Sequence, residues 1–310
     1  MTNLDYTKTL VYFRDRFVPF DDANVSIASS PVLYGLSVYT VFNALWDEKK
    51  QQLVLFRLKD HYKRLVNSAR VMDFHSFEKV WSYEKFQETM EDLLRKNHIG
   101  ENALVRVTIF VDELMAGTKI HGLKHNLNAF VYPFKNILPA EGAAVCVSSW
   151  QRTSDNAIPA RAKVNGSYIN ASLMKNEALL NGYDDALALD EHGHVAEGTV
   201  ANFFMVRDGV LITPDAATDI LEGISRDTLI TLAREAQIPL EVRSIDRSEL
   251  YMADEAFYSG SSAHVAPITS IDKRPIGNGK KGPITEMVTE LYTQARLGEN
   301  PAHLDWLTVV

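Results

Sequence analysis

Residues 158–168 read Ile-Pro-Ala-Arg-Ala-Lys-Val-Asn-Gly-Ser-Tyr and are the most informative stretch of the chain. They place Lys163 among small residues, directly before residues 168–180, which are predicted to form a helix. Such surroundings favour a partly buried amine, whose pKa falls because burial disfavours the charged form. An amine of this kind can attack a carbonyl carbon and form a Schiff base. A solvated lysine on a surface loop is the plainer interpretation.

The composition of the chain bounds its class. A length of 310 residues corresponds to about two domains, and 46% apolar with 23% charged residues is ordinary for a globular protein. The net charge of −8 argues against binding to a nucleic-acid backbone, which requires clustered Lys and Arg. Cys146 is the single cysteine, which excludes an intrachain disulfide and a site of several thiolates. Without a signal peptide or an apolar run of about 18 residues, we expect a cytoplasmic protein with no membrane partner.

Pro and Gly residues punctuate the stretch 136–142 and predict a linker. We therefore expect a small α+β domain over residues 1–135 and a larger α+β domain over residues 143–310. In the first domain, strands are predicted at 9–13, 17–20, 38–45, 52–56, 103–111 and 128–134, and helices at 58–72 and 86–94. In the second domain, strands are predicted at 143–149, 184–189, 202–207, 210–213 and 255–259, and helices at 168–180, 225–236 and from 283 onward. Strands outnumber helices without regular alternation, which favours an α+β fold.

Two turns carry more specific predictions. Asp208 and Gly209 separate two short apolar strands, a spacing typical of a type I′ hairpin turn. The helix predicted at 86–94 is followed by Lys96, His98 and then Gly100, which is a basic last turn before a glycine. That pattern predicts Gly100 as the C-cap of the helix.

A carboxylate and a helix start in the second half are candidates for chemistry. Glu197 follows apolar residues and precedes a glycine and a strand, where its carboxylate could hold a protonated ring nitrogen. Gly223, Ile224 and Ser225 open a predicted helix whose first N–H groups could bind an anion, supported by the helix dipole. A turn glutamate and simple N-capping by Ser225 are the plainer interpretations.

Two further groups could contribute to anion binding. Residues 259–262, Ser-Gly-Ser-Ser, form a polar turn after a strand and could donate hydrogen bonds to a phosphate or a carboxylate. Arg64 lies off the apolar stripe of its helix, from which it could reach a phosphate. An ordinary turn and a solvated surface arginine are the alternatives.

Several common signatures are missing from the sequence. There is no G-x-x-x-x-G-K-[ST], no G-x-S-x-G and no H-E-x-x-H motif. His121 and His125 are four residues apart, but they lie in a polar segment that contains a glycine. We therefore predict no metal site.

Taken in order, these segments resemble the fold-type IV aminotransferases, enzymes that depend on pyridoxal 5′-phosphate (PLP). Within that group the chain is most similar to the branched-chain amino acid aminotransferases, over about residues 10 to 285. The resemblance is carried by residues 158–168, Glu197-Gly198 with Asn202-Phe203, and residues 223–227, and it is extended by residues 250–255, 260–263 and 282–285. It implies the two-domain α+β fold of that group and a homodimer or higher homo-oligomer.

The resemblance implies a role for each cofactor-binding residue. Lys163 would form the Schiff base with PLP and later move the proton between the substrate Cα and the cofactor. Glu197 would keep the pyridine nitrogen protonated, so that the ring acts as an electron sink, and Tyr168 would donate a hydrogen bond to the phenolic oxygen. The phosphate would be held by Arg64, Ile224, Ser225 and Ser261.

The resemblance also indicates a substrate pocket. Tyr34 and Tyr39 match aromatic residues of the family, and Arg106 matches the arginine that helps to orient the substrate carboxylate. Ser262 and Ala263 complete this part of the predicted substrate-binding set.

The pocket departs from the family pattern at four further positions. Thr40 stands where the family usually has a glutamate, and Leu104 stands where it has a tyrosine. A later aromatic pair appears as Phe134 and Ile137. The pocket is therefore expected to be more apolar, and the loss of one hydrogen bond to a charged group costs about 1.5–3 kcal/mol.

These residues imply a ping-pong aminotransferase that moves the amino group of a branched-chain or other hydrophobic L-amino acid to 2-oxoglutarate. The departures at Thr40 and Leu104 keep a D-amino acid or (R)-amine transaminase open, although residues 105–108 lack the Arg-x-His of the D-amino acid group. A lyase resembling aminodeoxychorismate lyase is a further alternative. The last alternative is a non-catalytic binding module, against which Lys163 and Glu197 argue. Small-molecule amino and keto acids are the expected partners.

Overall fold

The computed structural model describes residues 4–74, 77–114 and 117–310, which form two compact units. Unit 1 contains the residues up to 135 together with 162–166 and 296–310, and unit 2 contains residues 136–161 and 167–295. The segments 162–166 and 296–310 lie in the range that the sequence predicts as the second domain. They group with unit 1 because Val164 bridges to Val38, and because residues 307–309 pair with a strand of that unit.

Strands and helices are interspersed along the chain. The strands are β1 (Leu10–Phe13), β2 (Arg16–Pro19), β3 (Ser37–Asp47), β4 (Gln52–Phe56), β5 (Ala103–Val111), β6 (His125–Pro133), β7 (Ala143–Val147), β8 (Asp185–Leu189), β9 (Val195–Gly198), β10 (Asn202–Arg207), β11 (Val210–Thr213), β12 (Leu240–Val242), β13 (Glu255–Gly260), β14 (His264–Ile271), β15 (Arg274–Pro275) and β16 (Leu307–Val309). The α-helices are α1 (Ser30–Tyr34), α2 (Leu58–Val71), α3 (Phe77–Val80), α4 (Tyr83–Lys96), α5 (Tyr168–Leu180), α6 (Ile224–Glu235) and α7 (Pro283–Leu297). Short 3-10 helices cover Tyr6–Lys8, Phe20–Asp22, Asn165–Ser167, Ala216–Thr218, Arg247–Met252 and Pro301–Trp306.

Unit 1 is built on an antiparallel sheet with the strand order β16-β4-β3-β5-β6-β1-β2. Helix α2 packs on β3, and helix α4 packs on β1 and β6. The helices bury apolar side chains at helical spacing, among them Leu65, Phe86 and Met90, and Phe86 contacts Phe42 of β3. Each such side chain stabilises the unit by about 1.5–3 kcal/mol through burial.

Unit 2 contains a mixed sheet with the strand order β12-β11-β10-β13-β14-β7-β8-β9, and β15 pairs with β14. Strand β9 also pairs with β10, so the strands from β10 to β9 form a closed ring. Strand β7 runs parallel to both of its neighbours, while the β10–β13 and β13–β14 pairs are antiparallel. The hydrophobic core of unit 2 includes Val145, Leu187, Phe203, Leu250 and Ile268. Sheets of this kind with helices outside them agree with the α+β prediction.

Local sequence signals predicted the bounds of several elements well. The helix predicted at 168–180 and the strands predicted at 202–207 and 210–213 have those bounds in the structure. Asp208 has φ 51° and Gly209 has φ 76°, so the turn has the two left-handed residues of type I′, as predicted.

The prediction of Gly100 as a helix C-cap is wrong. Helix α4 ends earlier, with Asn97 as its C-cap, and the left-handed residue is His98 at φ 50°. The Asn97 side chain donates to the Leu93 carbonyl and also bonds the backbone of Leu10, which ends the helix at that point. Strands β9, β12, β14, β15 and β16 were not predicted, because they are short or interrupted by polar residues and proline.

Candidate active site

Lys163 lies beside the part of β3 that β4 does not cover. Strand β4 pairs with β3 only from Ala44 to Asp47, and the backbone around Lys163 takes the neighbouring place near the start of β3. The Tyr39 N–H donates to the Lys163 carbonyl at 2.9 Å, and the Lys163 N–H donates to Ser68 Oγ at 3.1 Å. These two bonds hold the backbone of Lys163 from both β3 and α2, and the residue is half-buried. This is not a solvated lysine on a free loop.

The ring of Tyr39 brings two cations together. Lys163 Nζ lies 4.8 Å and Arg106 Cζ lies 3.7 Å from the ring centroid, so the two groups are no more than about 8.5 Å apart. Tyr39 and Arg106 share a face of the sheet because Tyr39 pairs with Thr108, two residues from Arg106. An amine that can react with a carbonyl therefore lies close to a guanidinium that can bind a carboxylate.

The guanidinium of Arg106 is held by a second contact. Its Nη2 donates to Asn165 Oδ1 at 2.5 Å, and the Asn165 amide donates to Ser37 Oγ at 2.8 Å. Leu104 is buried on the same face of β5, two residues from Arg106. The structure thus brings Tyr39, Leu104, Arg106 and Lys163 together.

Thr40 occupies the opposite face of β3, because successive residues of a strand point to opposite sides. It is fully buried, with Oγ1 2.8 Å from His61 Nδ1 and 3.3 Å from Arg64 Nη2. The structure therefore separates Thr40 from the side of the sheet that carries Tyr39 and Arg106, and places it beside Arg64. Burial, together with the charges of Arg64, Arg57 and Lys163, lowers the pKa of His61 well below its ordinary value.

Glu197 is a buried carboxylate in strand β9, with 6% of its surface exposed. Its Oε1 lies 2.9 Å from Arg152 Nη2, and its Oε2 accepts from the Asn202 amide at 2.8 Å and from the Leu221 N–H at 3.2 Å. Three donors, one of them charged, fix the orientation of this carboxylate. A turn glutamate would not be enclosed in this way.

The start of α6 lacks a side-chain cap. Gly223 is the N-cap, and the Ser225 hydroxyl lies inside the helix, 3.0 Å from the Tyr292 hydroxyl. Simple N-capping by Ser225 therefore does not occur. A Cβ on Gly223 would collide with Asn202 Oδ1, so the glycine allows the amide that holds Glu197 to reach the start of this helix. First-turn N–H groups and the helix dipole make this place suited to an anion.

The remaining predicted residues lie in several other elements of the chain. Ser261, Ser262 and Ala263 form the half-buried turn between β13 and β14, and half-buried Tyr168 opens α5 and packs against the buried cluster around Cys146 and Met174. Phe134 follows β6 and is half-buried. Tyr34 and Ile137 are exposed in this chain.

Sequence reasoning missed four residues that hold the predicted groups, namely Ser68, His61, Arg152 and Asn202. Asn202 lay within the quoted motif but was given no role, and the other three carried no local signal. Their contacts join segments far apart in sequence, as in the 95 residues between Ser68 and Lys163.

The part of the chain that the structure describes contains neither a metal-binding cluster nor a membrane-spanning helix. Across residues 4–74, 77–114 and 117–310, His, Cys, Asp and Glu side chains do not form a group of three that could hold a metal ion. Within the same part of the chain, no helix has both the length and the apolar character needed to cross a membrane.

Comparisons with known proteins show the family to which the chain belongs. A family model described as amino-transferase class IV matches residues 38–271. A probable branched-chain-amino-acid aminotransferase of Aquifex aeolicus is 38% identical over 307 residues, covering 98% of each chain. The crystal structure of the branched-chain aminotransferase from Thermoproteus uzoniensis with norvaline has a TM-score of 0.91 and 34% identity, covering 97% of this chain and 99% of that one. The branched-chain amino acid aminotransferase from Thermobaculum terrenum in its PLP form has a TM-score of 0.90 and 31% identity, covering 98% of this chain and 99% of that one.

The fold and these similarities define a PLP-dependent transaminase of fold type IV. The chain belongs to the class IV aminotransferases. The predicted fold class, transaminase activity and PLP cofactor are thereby confirmed. The residues present fit PLP, because an amine, a buried carboxylate and a helix start without a side-chain cap match its aldehyde, its ring nitrogen and its phosphate.

Proposed function

We propose that this enzyme transfers the amino group of a branched-chain or other hydrophobic L-amino acid to 2-oxoglutarate by a ping-pong mechanism. The observation that carries the proposal is the pair of cations on the Tyr39 ring, Lys163 Nζ and the Arg106 guanidinium. Their separation of at most about 8.5 Å suits a substrate with an amino group and a carboxylate a few bonds apart. The names of the relatives, branched-chain aminotransferases over nearly the whole chain, support this choice of donor.

Each site residue has a proposed task in this reaction. When bound, PLP supplies an electron sink for the charge that develops at the substrate Cα. The Lys163 amine would move the proton from the substrate Cα to the cofactor in the first half-reaction, and from the cofactor to the Cα of the second substrate in the second half-reaction. Glu197, held by Arg152 and Asn202, keeps a proton on the ring nitrogen, and Arg106 binds the substrate carboxylate.

The other cofactor contacts are proposed from the family resemblance and the local structure. Arg64, Ile224, Ser225 and Ser261 bind the phosphate, and the Tyr168 hydroxyl donates to the phenolic oxygen. The anion gains about 0.3–1 kcal/mol from the start of α6 and more from the guanidinium.

The second candidate is a D-amino acid or (R)-amine transaminase of the same fold. It is favoured by Leu104, an apolar side chain buried beside Arg106 where the resemblance leads us to expect a tyrosine hydroxyl. A site with fewer hydroxyl groups around the substrate carboxylate can accept an amino donor that has no carboxylate.

The test is a panel of half-reactions. The PLP form is mixed with L-leucine, L-glutamate, D-alanine or (R)-1-phenylethylamine, and the loss of the yellow band is followed. We expect L-leucine and L-glutamate to react. Lys163→Ala should abolish the band and turnover, whereas Lys135→Ala, which removes an exposed lysine, should change neither. Reaction with only D-alanine or the amine would replace the proposed donor.

Assembly and location belong to the same proposal. The family resemblance supports a homodimer or higher homo-oligomer in the cytoplasm. Light scattering on the purified enzyme tests the assembly, and a monomeric mass with full activity would contradict it.

A further inference from the structure

Helix α2 and strand β3 enclose a short chain of polar groups next to the active-site lysine segment. His61 and Arg64 are three residues apart and therefore lie on the same side of α2. Thr40 Oγ1 lies between them, 2.8 Å from His61 Nδ1 and 3.3 Å from Arg64 Nη2. Thr40 and His61 are both fully buried, so water does not compete for these bonds.

The donor and acceptor capacities of the three groups limit the directions of the two hydrogen bonds. A guanidinium can only donate, so Arg64 donates to Thr40 Oγ1. The threonine hydroxyl has one proton and two acceptor lone pairs, and it donates that proton to His61 Nδ1 when the ring of His61 is neutral with its own proton on Nε2. Burial and the nearby cations Arg64, Arg57 and Lys163 lower its pKa and favour the same form.

This arrangement holds the guanidinium of Arg64 at a neutral acceptor. A carboxylate at position 40 would instead form an ion pair with Arg64 and offset part of its charge. The hydroxyl orients one nitrogen and leaves the positive charge available for an anion.

We propose that Thr40 and His61 are positioning residues that orient Arg64 toward the phosphate of the cofactor. This inference rests on the proposed role of Arg64 in phosphate binding. It assigns Thr40 to the cofactor side of the machinery and not to the substrate pocket.

The test compares two aldehydes that differ only in the phosphate. Dissociation constants of PLP and of pyridoxal are measured by absorbance on the full-length protein after removal of its cofactor. Both compounds can react with Lys163, but only PLP can contact Arg64. Thr40→Val should weaken PLP about 10-fold, the effect of one hydrogen bond, and should change pyridoxal binding less than about 2-fold.

Matched variants separate positioning from damage to the fold. Thr40→Ser retains the hydroxyl and should bind PLP like the wild type. His61→Leu removes the acceptor and should resemble Thr40→Val, while His61→Asn, whose Oδ1 can take the place of Nδ1, should restore binding. In an Arg64→Ala background, Thr40→Val should cause no further loss.

Other outcomes have distinct meanings. Equal weakening of PLP and pyridoxal by Thr40→Val, or no weakening of PLP, would overturn the inference. If Arg64→Ala leaves PLP affinity unchanged, the inference fails together with the phosphate role of Arg64. A wild-type protein that binds neither aldehyde at Lys163 would contradict the proposed function itself.

Discussion

The backbone N–H of Lys163 donates to the Ser68 hydroxyl at 3.1 Å, and this hydroxyl donates to the Arg64 carbonyl at 2.9 Å. Ser68 is fully buried, so water could not replace its hydroxyl as the acceptor for the Lys163 N–H. Helix α2 therefore holds the segment that carries Lys163, the proposed reactive amine, and it also carries Arg64 one turn away from Ser68.

Ser68→Ala should lower both turnover and stability. The Lys163 N–H would lose its acceptor in a buried place, which costs about 1–3 kcal/mol, and the lysine would be less well placed. We expect kcat to fall about 10-fold, measured with the preferred donor at saturating PLP. Ser82→Ala is the control, because Ser82 caps α4 and its loss costs about 1 kcal/mol without affecting kcat. Equal kcat in the two variants would show that Ser68 is structural only.

Arg152→Ala should destabilise the protein by about 3 kcal/mol, because it leaves the buried Glu197 carboxylate without its charged partner. Turnover should also fall, since the carboxylate loses its fixed orientation. Urea unfolding and kcat measure the two effects. Arg70→Ala removes an exposed ion pair with Glu78 and should cost less than about 1 kcal/mol. If Arg152→Ala destabilised the protein no more than Arg70→Ala does, that result would contradict the role assigned to Arg152.

Gly223→Ala should weaken PLP binding, because the new Cβ displaces the Asn202 amide that bonds Glu197. Overpacking of this kind costs about 1–3 kcal/mol of stability. Gly100→Ala is the matched control, since a Cβ there meets nothing within 4 Å. The readouts are thermal unfolding and PLP affinity. Identical behaviour of the two variants would refute the steric requirement at Gly223.

His61 should make stability depend on pH. Its pKa is lowered in the folded state, so below about pH 6.5 the unfolded chain takes up a proton that the folded chain does not. Stability therefore falls as pH decreases through this range, by up to about 1.4 kcal/mol per pH unit, and the effect is absent above it. Urea unfolding from about pH 5 to pH 8 measures the slope. His61→Asn should have the smaller slope, and equal slopes would exclude a buried neutral histidine.

Cys146 should be an unreactive thiol. Burial, with help from Glu177, Asp272 and Asp185, raises its pKa to about 11. Its thiolate fraction near pH 8 is then about 100-fold lower than that of a thiol with the ordinary value. A chromogenic disulfide reagent should label the folded protein slowly and the guanidinium-unfolded protein quickly. Fast labelling of the folded form would contradict the burial of this side chain.

Elements with a strong local signal were predictable. The apolar spacing over residues 168–180 and the two-residue Asp208-Gly209 loop depend on neighbours in sequence, and both have the predicted form. The C-cap of α4 was not predictable, because it depends on a bond between Asn97 and the distant Leu10. Strand β16 likewise exists only through its pairing with β4.

The candidate site also contains residues that the sequence predicted and residues that it did not. Lys163 and Glu197 were predicted from their motifs, and the comparisons with known proteins confirm the class of enzyme that those motifs indicated. Arg152 and Ser68 were not found, because a salt bridge or a hydrogen bond across 45 or 95 residues leaves no periodic pattern. Thr40 was recognised as a departure from the family, but its neighbours were not.

By itself, the sequence determined the class of chemistry, since a lysine, a glutamate and a glycine-led helix start in a given order specify which groups are available. Tertiary structure alone decided which side chains lie beside Lys163 and which lie beside Arg64. Tyr39 and Thr40 are adjacent in sequence, yet one lies beside Lys163 and Arg106 and the other beside His61 and Arg64. The alternation of a strand sends neighbouring side chains to opposite faces, and only the packing of α2 and residues 162–166 against β3 assigns a partner to each face.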